Sequence, residues 1–244
     1  MPFNLLQNSP RRPVVRMSFE VAPRSLLYLW TPAMNLYVFE TCPYCVRTRV
    51  MAGLKGLSPE IVHVEPGKIP EELKGRIDRL TVPILVDGET LIQDSTEIIR
   101  RFDKIGAPIL SSYDPSGDLE DWRATFAAAL NALCYPRMPH LGVPELASPQ
   151  SKAFFGQMMP ERIGMSFPDA LAKTTELVRE VEAALPGAEP YLSGDTISFD
   201  TLAALADLQS LTMVAEIDFP VQISIPFTQL MVRAGIPPFQ AVAA

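Results

Sequence analysis

Histidine and cysteine are scarce in this 244-residue chain, which has two histidines and three cysteines. A structural zinc site needs four ligands, normally a second C-x-x-C pair or two histidines at metal spacing. Only Cys134, His63 and His140 stand outside the single C-x-x-C, and each is isolated in the sequence. We therefore expect no metal site. An odd cysteine count also does not suit the disulfide framework of a secreted protein, so we expect a reducing compartment, the cytoplasm.

Positive charge and long apolar runs are also lacking. The net charge is −7, whereas surfaces that bind nucleic acids are basic, so we expect no nucleic-acid partner. A membrane-spanning helix needs about 18 or more consecutive apolar residues. The nearest candidate, residues 126–134, is short and is interrupted by Asn131, so we expect no membrane partner. Apolar side chains make up 48% of the chain, which is enough for a globular core.

The first 33 residues have little acidic charge and no regular pattern. They hold five prolines, and four arginines against Glu20 as the single acid. Proline at that density breaks both helical and strand periodicity. Because the first good strand pattern opens at Met34, we expect Met34 to be the native start and residues 1–33 to be a non-native extension. A disordered tail is the alternative.

Residues 34–106 alternate between strand and helix patterns. Short apolar runs that end at turn residues predict strands, and periodic stretches after Pro, Asp or Ser predict helices. The predicted elements are a strand over Leu36–Phe39, a helix from Pro43 to Gly56, a strand over Ile61–Val64, a short helix over Pro70–Ile77, strands over Pro83–Val86 and Thr90–Ile92, and a helix from Asp94 or Ser95 to about Lys104. This βαβαββα order is that of the thioredoxin fold, so we predict an α/β thioredoxin-like N-terminal domain.

The second half of the chain has almost no strand pattern. Gly106 and the Pro and Ser residues that follow it predict a linker at 107–115, which places the second domain at 116–244. Apolar spacing there predicts helices over Leu119–Cys134, Met165–Leu185, Phe199–Val214 and Phe227–Ala234. We therefore predict an all-α C-terminal domain.

The chemistry of the chain is indicated by Cys42-Pro43-Tyr44-Cys45, which follows a strand and opens a helix. Unpaired N–H groups and the helix dipole favour thiolate over thiol at the first cysteine, and the thiolate is the nucleophile in disulfide exchange. Cys45 lies one turn inside the helix, so we expect it to be more buried and less acidic. It is placed to attack a mixed disulfide formed on Cys42. Arg47 and Arg49 add positive charge nearby, and we expect both to be solvated helix residues.

Two further motifs surround this dithiol. Pro83 opens a strand, and in a thioredoxin-type fold such a proline is expected to be cis, which would let the Val82 backbone pair with an extended peptide-like substrate. Asp94-Ser95 begins a helix whose N–H groups and hydroxyl suit a carboxylate, while Asp94 suits an α-amino group. Glutathione has both features. A plain helix N-cap is the alternative for Asp94-Ser95, and the two roles are compatible.

These motifs resemble those of the large bacterial glutaredoxins of the glutaredoxin 2 type, which are built like glutathione transferases. The resemblance also rests on Tyr135-Pro136-Arg137 and on the segment from Leu211 to Pro220, and it covers everything after residue 33. It implies an α/β thioredoxin-like domain plus an all-α glutathione-transferase-like domain. The implied activity is glutathione-dependent reduction of protein disulfides and of protein–glutathione mixed disulfides in cell redox homeostasis. The implied protein is a monomer with glutathione as co-substrate and no tightly bound cofactor.

Carried over by position, the resemblance makes Cys42 the nucleophile and Cys45 the resolving thiol. The glutathione-binding positions are then Thr41, Tyr44, Val82, Pro83, Asp94 and Ser95. Two departures stand out: Asp94 is shorter than the Glu often found there, and Thr201 replaces the acid expected three residues after Ser198, which puts a reciprocal helix cap in doubt.

Other readings stay open at this point. A glutathione transferase would share the fold and the glutathione site, although it would have no use for a resolving Cys45. A non-enzymatic iron–sulfur scaffold is disfavoured by the dithiol. Outside the site, we expect Cys134 to fill the core, Trp122 to pack between the domains and Arg137 to pair across that interface.

Overall fold

The computed structural model describes residues 34–194 and 196–243, and these belong to one compact unit. The prediction of a non-native or disordered extension over residues 1–33 lies outside the described residues. No helix within the described residues is long and apolar enough to cross a membrane.

A four-stranded sheet forms the first half of the fold. Its strands are β1 (Met34–Val38), β2 (Glu60–His63), β3 (Ile84–Asp87) and β4 (Thr90–Ile92), in the spatial order β2-β1-β3-β4. The β1 strand pairs parallel with β2 and antiparallel with β3, and β3 pairs antiparallel with β4. This is the predicted thioredoxin-like arrangement, a parallel βαβ unit followed by a hairpin.

The alternation of side chains along β1 divides the core between the two faces of the sheet. Leu36 and Val38 are fully buried on the face that the helices cover. Tyr37 points the other way into a smaller cluster with Val64 and Leu73. Both faces of β1 are therefore covered, which is why its predicted apolar run does not alternate with polar residues.

Ten α-helices are described. They are α1 (Pro43–Leu54), α2 (Ser95–Asp103), α3 (Gly117–Ala124), α4 (Ala127–Cys134), α5 (Pro149–Ile163), α6 (Phe167–Ala172), α7 (Thr174–Ala184), α8 (Glu189–Leu192), α9 (Phe199–Leu211) and α10 (Val221–Ala234). Short 3₁₀ turns lie at Glu71–Leu73, Met138–His140, Pro144–Leu146 and Leu185–Ala188. The all-helical second half is confirmed.

Several predicted helices differ from those observed. The helix predicted over Pro70–Ile77 is wrong, because Lys74 is extended and Gly75 has a φ of 75°, which leaves a single 3₁₀ turn. The helix predicted over Leu119–Cys134 is divided at Phe126, whose backbone is not helical. The one predicted over Met165–Leu185 is divided in the same way at Lys173.

The α5 helix was not predicted. Its sequence contains Pro149 and Pro160, and Ser151 is its one buried residue; Phe155 and Ile163 are only partly buried against the core, so its apolar face is shallow and its periodic pattern is weak. Its ends are fixed locally instead. The Ser148 hydroxyl accepts from the Ser151 N–H at 3.0 Å, and Gly164 stops the helix with a φ of 70°.

The α1 helix joins the two halves of the fold. It packs against α2 on one side and against α9 and α10 on the other. The approach of α1 to α10 is so close that a Cβ atom on Gly53 would lie 2.0 Å from the Ala234 carbonyl oxygen. The element that carries the two cysteines is therefore held by both halves.

The α9 helix is buried on almost every side and begins with a complete capping box. The Ser198 hydroxyl accepts from the Thr201 N–H, and the Thr201 hydroxyl accepts from the Ser198 N–H, both at 3.2 Å. The sequence put this reciprocal cap in doubt because residue 201 is not an acid. That doubt was wrong, because the Thr201 hydroxyl serves as the acceptor for the Ser198 N–H.

Trp122 and Arg137 do not bridge the two halves. Trp122 donates to the Ala184 carbonyl oxygen at 2.9 Å and packs beside Phe126, and all three lie in the helical half. Arg137 is 1% exposed and pairs with Glu216 at 3.0 Å, also within that half. Both predictions of an interface role were wrong. Cys134 is fully buried in the core, as predicted.

Candidate functional site

Cys42 is the N-cap residue of α1. Its backbone is extended, with φ −76° and ψ 120°, and the helix begins at Pro43 directly after it. The first turn of α1 carries no acidic side chain that would compete with a thiolate for the N-terminal N–H groups. Cys42 is half-buried, whereas Cys45, one turn inside, is completely buried. The expected difference in exposure between the two cysteines is confirmed.

The two thiols also differ in acidity. The pKa of Cys42 lies below its ordinary value because the Cys45 thiol donates a hydrogen bond to its sulfur; the N–H groups of Cys45 and Tyr44 and the charge of Arg47 act in the same direction. The pKa of Cys45 lies well above its ordinary value, chiefly because of burial. Of the two thiols, Cys42 therefore loses its proton more readily, and Cys45 keeps its proton to higher pH.

The loop before β3 faces the first thiol. The Val82–Pro83 peptide bond is cis, which confirms the prediction, and the Val82 carbonyl oxygen lies 4.0 Å from the Cys42 sulfur. The Gln93 side-chain amide donates to the Thr81 carbonyl oxygen at 3.0 Å, which ties this loop to the segment that enters α2. Backbone groups of Val82 therefore lie beside the dithiol, where an extended substrate could pair with them.

Asp94 and Ser95 have different surroundings. Asp94 is exposed and is the N-cap of α2, where its Oδ1 accepts from the N–H groups of Thr96 and Glu97 at 2.8 and 2.9 Å. The plain N-cap interpretation is therefore confirmed for Asp94. Ser95 is buried, and its hydroxyl accepts from Arg47. The glutathione-binding role of both residues stays a prediction.

Arg47 is a component of the site that the sequence did not reveal. It was expected to be solvated, which is wrong: it is 8% exposed. Its Nε donates to the Ser95 hydroxyl at 3.1 Å, and its guanidinium lies 4.7 Å from the ring centre of Tyr44 and 4.8 Å from that of Phe199. One side chain thus links α1, α2 and α9 beneath the dithiol. A charged residue on a short helix gives no sequence signal for this burial.

Arg49 lies on the other side of α1 and is mostly buried as well. It pairs with Glu40 at 2.6 Å, and the second carboxylate oxygen of Glu40 contacts His63 at 2.9 Å. The pKa of Glu40 is lowered; burial opposes this shift, but Arg49 and His63 outweigh it. This cluster braces the turn that leads into Cys42.

A cleft of about 490 Å³ opens beside Pro43 and Tyr44, the two residues between the cysteines. Tyr44, which is 50% exposed, stands at its edge, and its far wall belongs to the helical half. There Arg123 makes a two-bond pair with the buried Asp207 of α9, at 2.6 and 3.1 Å. Tyr135 and Arg162 also line the cleft. The arrangement leaves room for the part of a substrate that extends beyond the reacting sulfur.

Thr41 is fixed from the opposite half of the chain. Its N–H and its hydroxyl both donate to Oε1 of Glu145 at 2.9 Å, and both residues are buried. Sequence reasoning missed Glu145, because a single acid in a loop 104 residues away gives no local signal. In the part of the chain that the structure describes, no three His, Cys, Asp or Glu side chains are grouped as they would be around a metal ion.

Two family models match the chain. The model described as "Glutaredoxin 2, C terminal domain" matches residues 118–243, which is just over half of the chain. The model described as "Glutathione S-transferase, N-terminal domain" matches residues 36–108.

Individual proteins give the same result. The chain is 27% identical over 198 residues to glutaredoxin 2 of Escherichia coli K12, which covers 78% of this chain and 91% of that protein. Its fold is similar to the crystal structure of glutaredoxin 2 from Salmonella typhimurium in complex with glutathione, with a TM-score of 0.77, 24% identity and coverage of 84% of this chain and 96% of that one. It is also similar to a Ceriporiopsis subvermispora glutathione S-transferase in complex with glutathione, with a TM-score of 0.62, 16% identity and coverage of 83% and 96%.

Proposed function

The chain belongs to the glutaredoxin 2 family, and from that premise we propose that Cys42 and Cys45 are the dithiol with which it reduces disulfides at the expense of glutathione. The observation that carries the proposal is the difference between the two thiols. Cys42 is half-buried at a helix N-terminus with a lowered pKa, and Cys45 is fully buried with a raised one. An accessible Cys42 thiolate can attack a disulfide, and the buried Cys45 thiol can then resolve the mixed disulfide formed on Cys42.

In deglutathionylation, the Cys42 thiolate attacks the glutathione sulfur of a protein–glutathione mixed disulfide. A Cys42–glutathione disulfide forms, the original S–S bond breaks, and the target thiolate leaves and takes a proton from water. A second glutathione thiolate then attacks the bound glutathione sulfur. Oxidised glutathione leaves, and Cys42 returns to a thiolate, so each cycle consumes one free glutathione, frees one target thiol and releases the glutathionyl group of the mixed disulfide as half of the oxidised glutathione.

Protein disulfides need the second cysteine. Cys42 attacks one sulfur and forms a mixed disulfide with the target, and Cys45 then loses its proton and attacks Cys42. The Cys42–Cys45 disulfide forms, and the second target thiolate leaves and is protonated. Two glutathiones reduce the enzyme again. Glutaredoxins have potentials of roughly −200 to −230 mV, within reach of the glutathione pool.

For glutathione itself we propose the six positions predicted from the sequence. The Val82 backbone next to cis-Pro83 would pair with the cysteinyl part, while Thr41 and Tyr44 would lie beside it. The α-amino group would meet Asp94, and the α-carboxylate would meet the N-terminus of α2 at Ser95. Support comes from the 4.0 Å approach of Val82 to Cys42 and from Arg47, which connects Ser95 to Tyr44.

We further propose that the targets are glutathionylated and disulfide-bonded proteins, that the protein works as a monomer in the cytoplasm and that it needs no tightly bound cofactor. We also propose that the chain is divided into one domain at residues 34–106 and a second at residues 116–244.

The proposal is tested by reduction of a glutathionylated substrate coupled to glutathione reductase. We expect Cys42→Ser to abolish turnover, because the attacking thiolate is gone. We expect Cys45→Ser to retain deglutathionylation and to lose reduction of protein disulfides. Cys134→Ser is the matched control and should behave like the parent. Full turnover by the Cys42→Ser protein would refute the mechanism.

Conjugation of glutathione to an electrophile is the alternative activity. The match to a glutathione S-transferase N-terminal domain and the 490 Å³ cleft beside Tyr44 favour testing it. Conjugation of chlorodinitrobenzene by a Cys42→Ser/Cys45→Ser double variant would show that the fold activates glutathione without the dithiol. We expect that double variant to be inactive.

A further inference from the structure

We propose that Arg47 is a positioning residue for the glutathione site: it holds the Ser95 hydroxyl as a hydrogen-bond donor, so that the site selects thiols that carry the α-carboxylate of a γ-glutamyl group. The proposal rests on the proposed function, because it takes Cys42 as the thiol that bonds glutathione and Ser95 as the position that meets its carboxylate. It adds to that function the residue that sets the selectivity and the chemical group that is selected.

The first argument is the direction of the hydrogen bonds at Ser95. Nε of Arg47 donates to the Ser95 hydroxyl oxygen at 3.1 Å, and Nη2 of Arg47 donates to the same oxygen. A serine hydroxyl has two acceptor lone pairs and one O–H donor. Both lone pairs are therefore used, and among the described residues no acceptor contacts the O–H. The group that Ser95 can still bind is an acceptor, and a carboxylate is the strongest acceptor in glutathione.

The second argument is the way in which Arg47 is held. Its side chain is 8% exposed, and its guanidinium carbon lies 4.7 Å from the ring centre of Tyr44 and 4.8 Å from that of Phe199. A planar guanidinium stacks well on aromatic rings, so these two contacts fix the edge that faces Ser95. Tyr44 belongs to α1 and Phe199 to α9, so both halves of the fold set the direction of the bond.

The third argument is the lack of a counter-charge. Among the described residues, no carboxylate forms an ion pair with Arg47. The carboxylate of Asp94 accepts from N–H groups of its own helix, and that of Asp207 pairs with Arg123. Burial lowers the pKa of Arg47, and the nearby charge of Asp94 does not outweigh this effect. Because arginine stays protonated even so, the site holds a positive charge that is not fully compensated.

These three features define the chemistry of the ligand. A carboxylate at Ser95 would accept the O–H bond and would lie one hydroxyl away from the guanidinium, which strengthens that bond. Ser95 is also the first residue of α2, where the helix dipole favours an anion. The α-carboxylate of glutathione is attached to the same carbon as the α-amino group, for which the exposed Asp94 is the adjacent partner. We therefore expect Arg47 to act through Ser95 on the carboxylate and not on the amine.

The test measures how strongly Cys42 retains three thiols in the full-length Cys45→Ser protein. They are glutathione, 4-aminobutyryl-cysteinyl-glycine, which lacks the α-carboxylate, and glutaryl-cysteinyl-glycine, which lacks the α-amino group. The protein is equilibrated with each thiol and its symmetrical disulfide. The Cys42 thiolate attacks that disulfide, a mixed disulfide forms on Cys42, the peptide S–S bond breaks and one peptide thiolate leaves. Intact mass after an acid quench gives the equilibrium constant.

We expect the Cys45→Ser protein to prefer glutathione over the 4-aminobutyryl peptide by about tenfold or more, because a hydrogen bond to a charged group is lost. Adding Arg47→Met should reduce this preference to about threefold or less and leave the preference over the glutaryl peptide unchanged. Arg179→Met, at an exposed arginine on α7, is the matched control and should change neither preference. Comparing peptides within one variant cancels any change in the acidity of Cys42.

An undiminished preference over the 4-aminobutyryl peptide in the Arg47→Met protein would overturn the proposal. An equal loss of both preferences would also overturn it, since general damage to the site affects amine and carboxylate alike. If Arg47→Met does not fold, Arg47→Gln, which is neutral but keeps a donor, replaces it with the same expected results. If none of the three thiols forms a mixed disulfide, the proposed role of Cys42 is refuted and this proposal with it, so the two failures are distinguishable.

Discussion

At the scale of single residues, the chain places three cysteines in three environments. Cys42 is half-buried at a helix N-terminus, and Cys45 is buried one turn further along α1. Cys134 is buried in the helical half, where its thiol donates to the Ser210 carbonyl oxygen at 3.4 Å and burial raises its pKa to about 12. The chemistry of each sulfur follows from these surroundings, because the same thiol is reactive only where its charged form is stabilised.

This ranking predicts the order of alkylation by iodoacetamide. The pKa of Cys42 is lowered, so its thiolate fraction rises at lower pH than that of an ordinary cysteine, whose pKa is about 8.5. Near neutral pH we expect Cys42 to be modified first and Cys45 much more slowly. Cys134 should react only after denaturation. Peptide mapping over time measures all three, and modification of Cys134 in the folded protein at a rate like that of Cys42 would contradict the ranking.

Residue-scale prediction from sequence succeeded where the signal is local. The positions of Cys42 and Cys45 follow from a strand, a proline and a helix within a few residues, and the cis bond before Pro83 follows from its place in the fold. Arg47 and Glu145 were misjudged or missed, because their burial depends on contacts with α9 and with Thr41 across the molecule.

At the scale of elements, the α1 helix carries Cys42 at its N-terminal end and packs closely against α10 near its C-terminal end. It presents Cys42 at one end, and at the other end it passes α10 at a distance that only a glycine permits. Both ends depend on the helical half, so a change at Gly53 acts on the helix that carries the dithiol.

Gly53→Ala therefore tests how tightly α1 is held. Its new Cβ would lie 2.0 Å from the Ala234 carbonyl oxygen, so we expect a loss of about 1–3 kcal/mol in the free energy of unfolding. Gly156→Ala on α5 is the matched control. That glycine is exposed with no atom near its Cβ position, and alanine should stabilise the helix by up to about 1 kcal/mol. Urea denaturation measures both, and equal effects of the two substitutions would contradict the close packing.

Element prediction was better in the first half of the chain than in the second. The strands, α1 and α2 are short, and their apolar runs end at clear turn residues such as Asp87-Gly88. In the second half, the helices break at Phe126 and Lys173, which are neither Pro nor Gly, so no turn residue in the sequence marks these breaks. The α5 helix buries too little for its apolar pattern to reveal it.

At the scale of the whole molecule, the helical half contributes to the thiol site instead of merely adjoining it. Glu145 holds Thr41, Phe199 packs against Arg47, and the Arg123–Asp207 pair lines the cleft beside Tyr44. The general fold was predictable, since composition and patterning separate a thioredoxin-like half from a helical one. The contacts of Glu145 with Thr41 and of Phe199 with Arg47 were not, because they join residues more than 100 positions apart.

The central claim is that Cys42 carries the exchanged glutathione, and trapping that species tests it most directly. The Cys45→Ser protein is mixed with a glutathionylated peptide in the absence of free glutathione, quenched with acid, and analysed by intact mass and peptide mapping. We predict one glutathione per chain, bound to Cys42, together with the released peptide thiol. Glutathione on Cys134, or release of the peptide with an unmodified Cys42, would contradict the account.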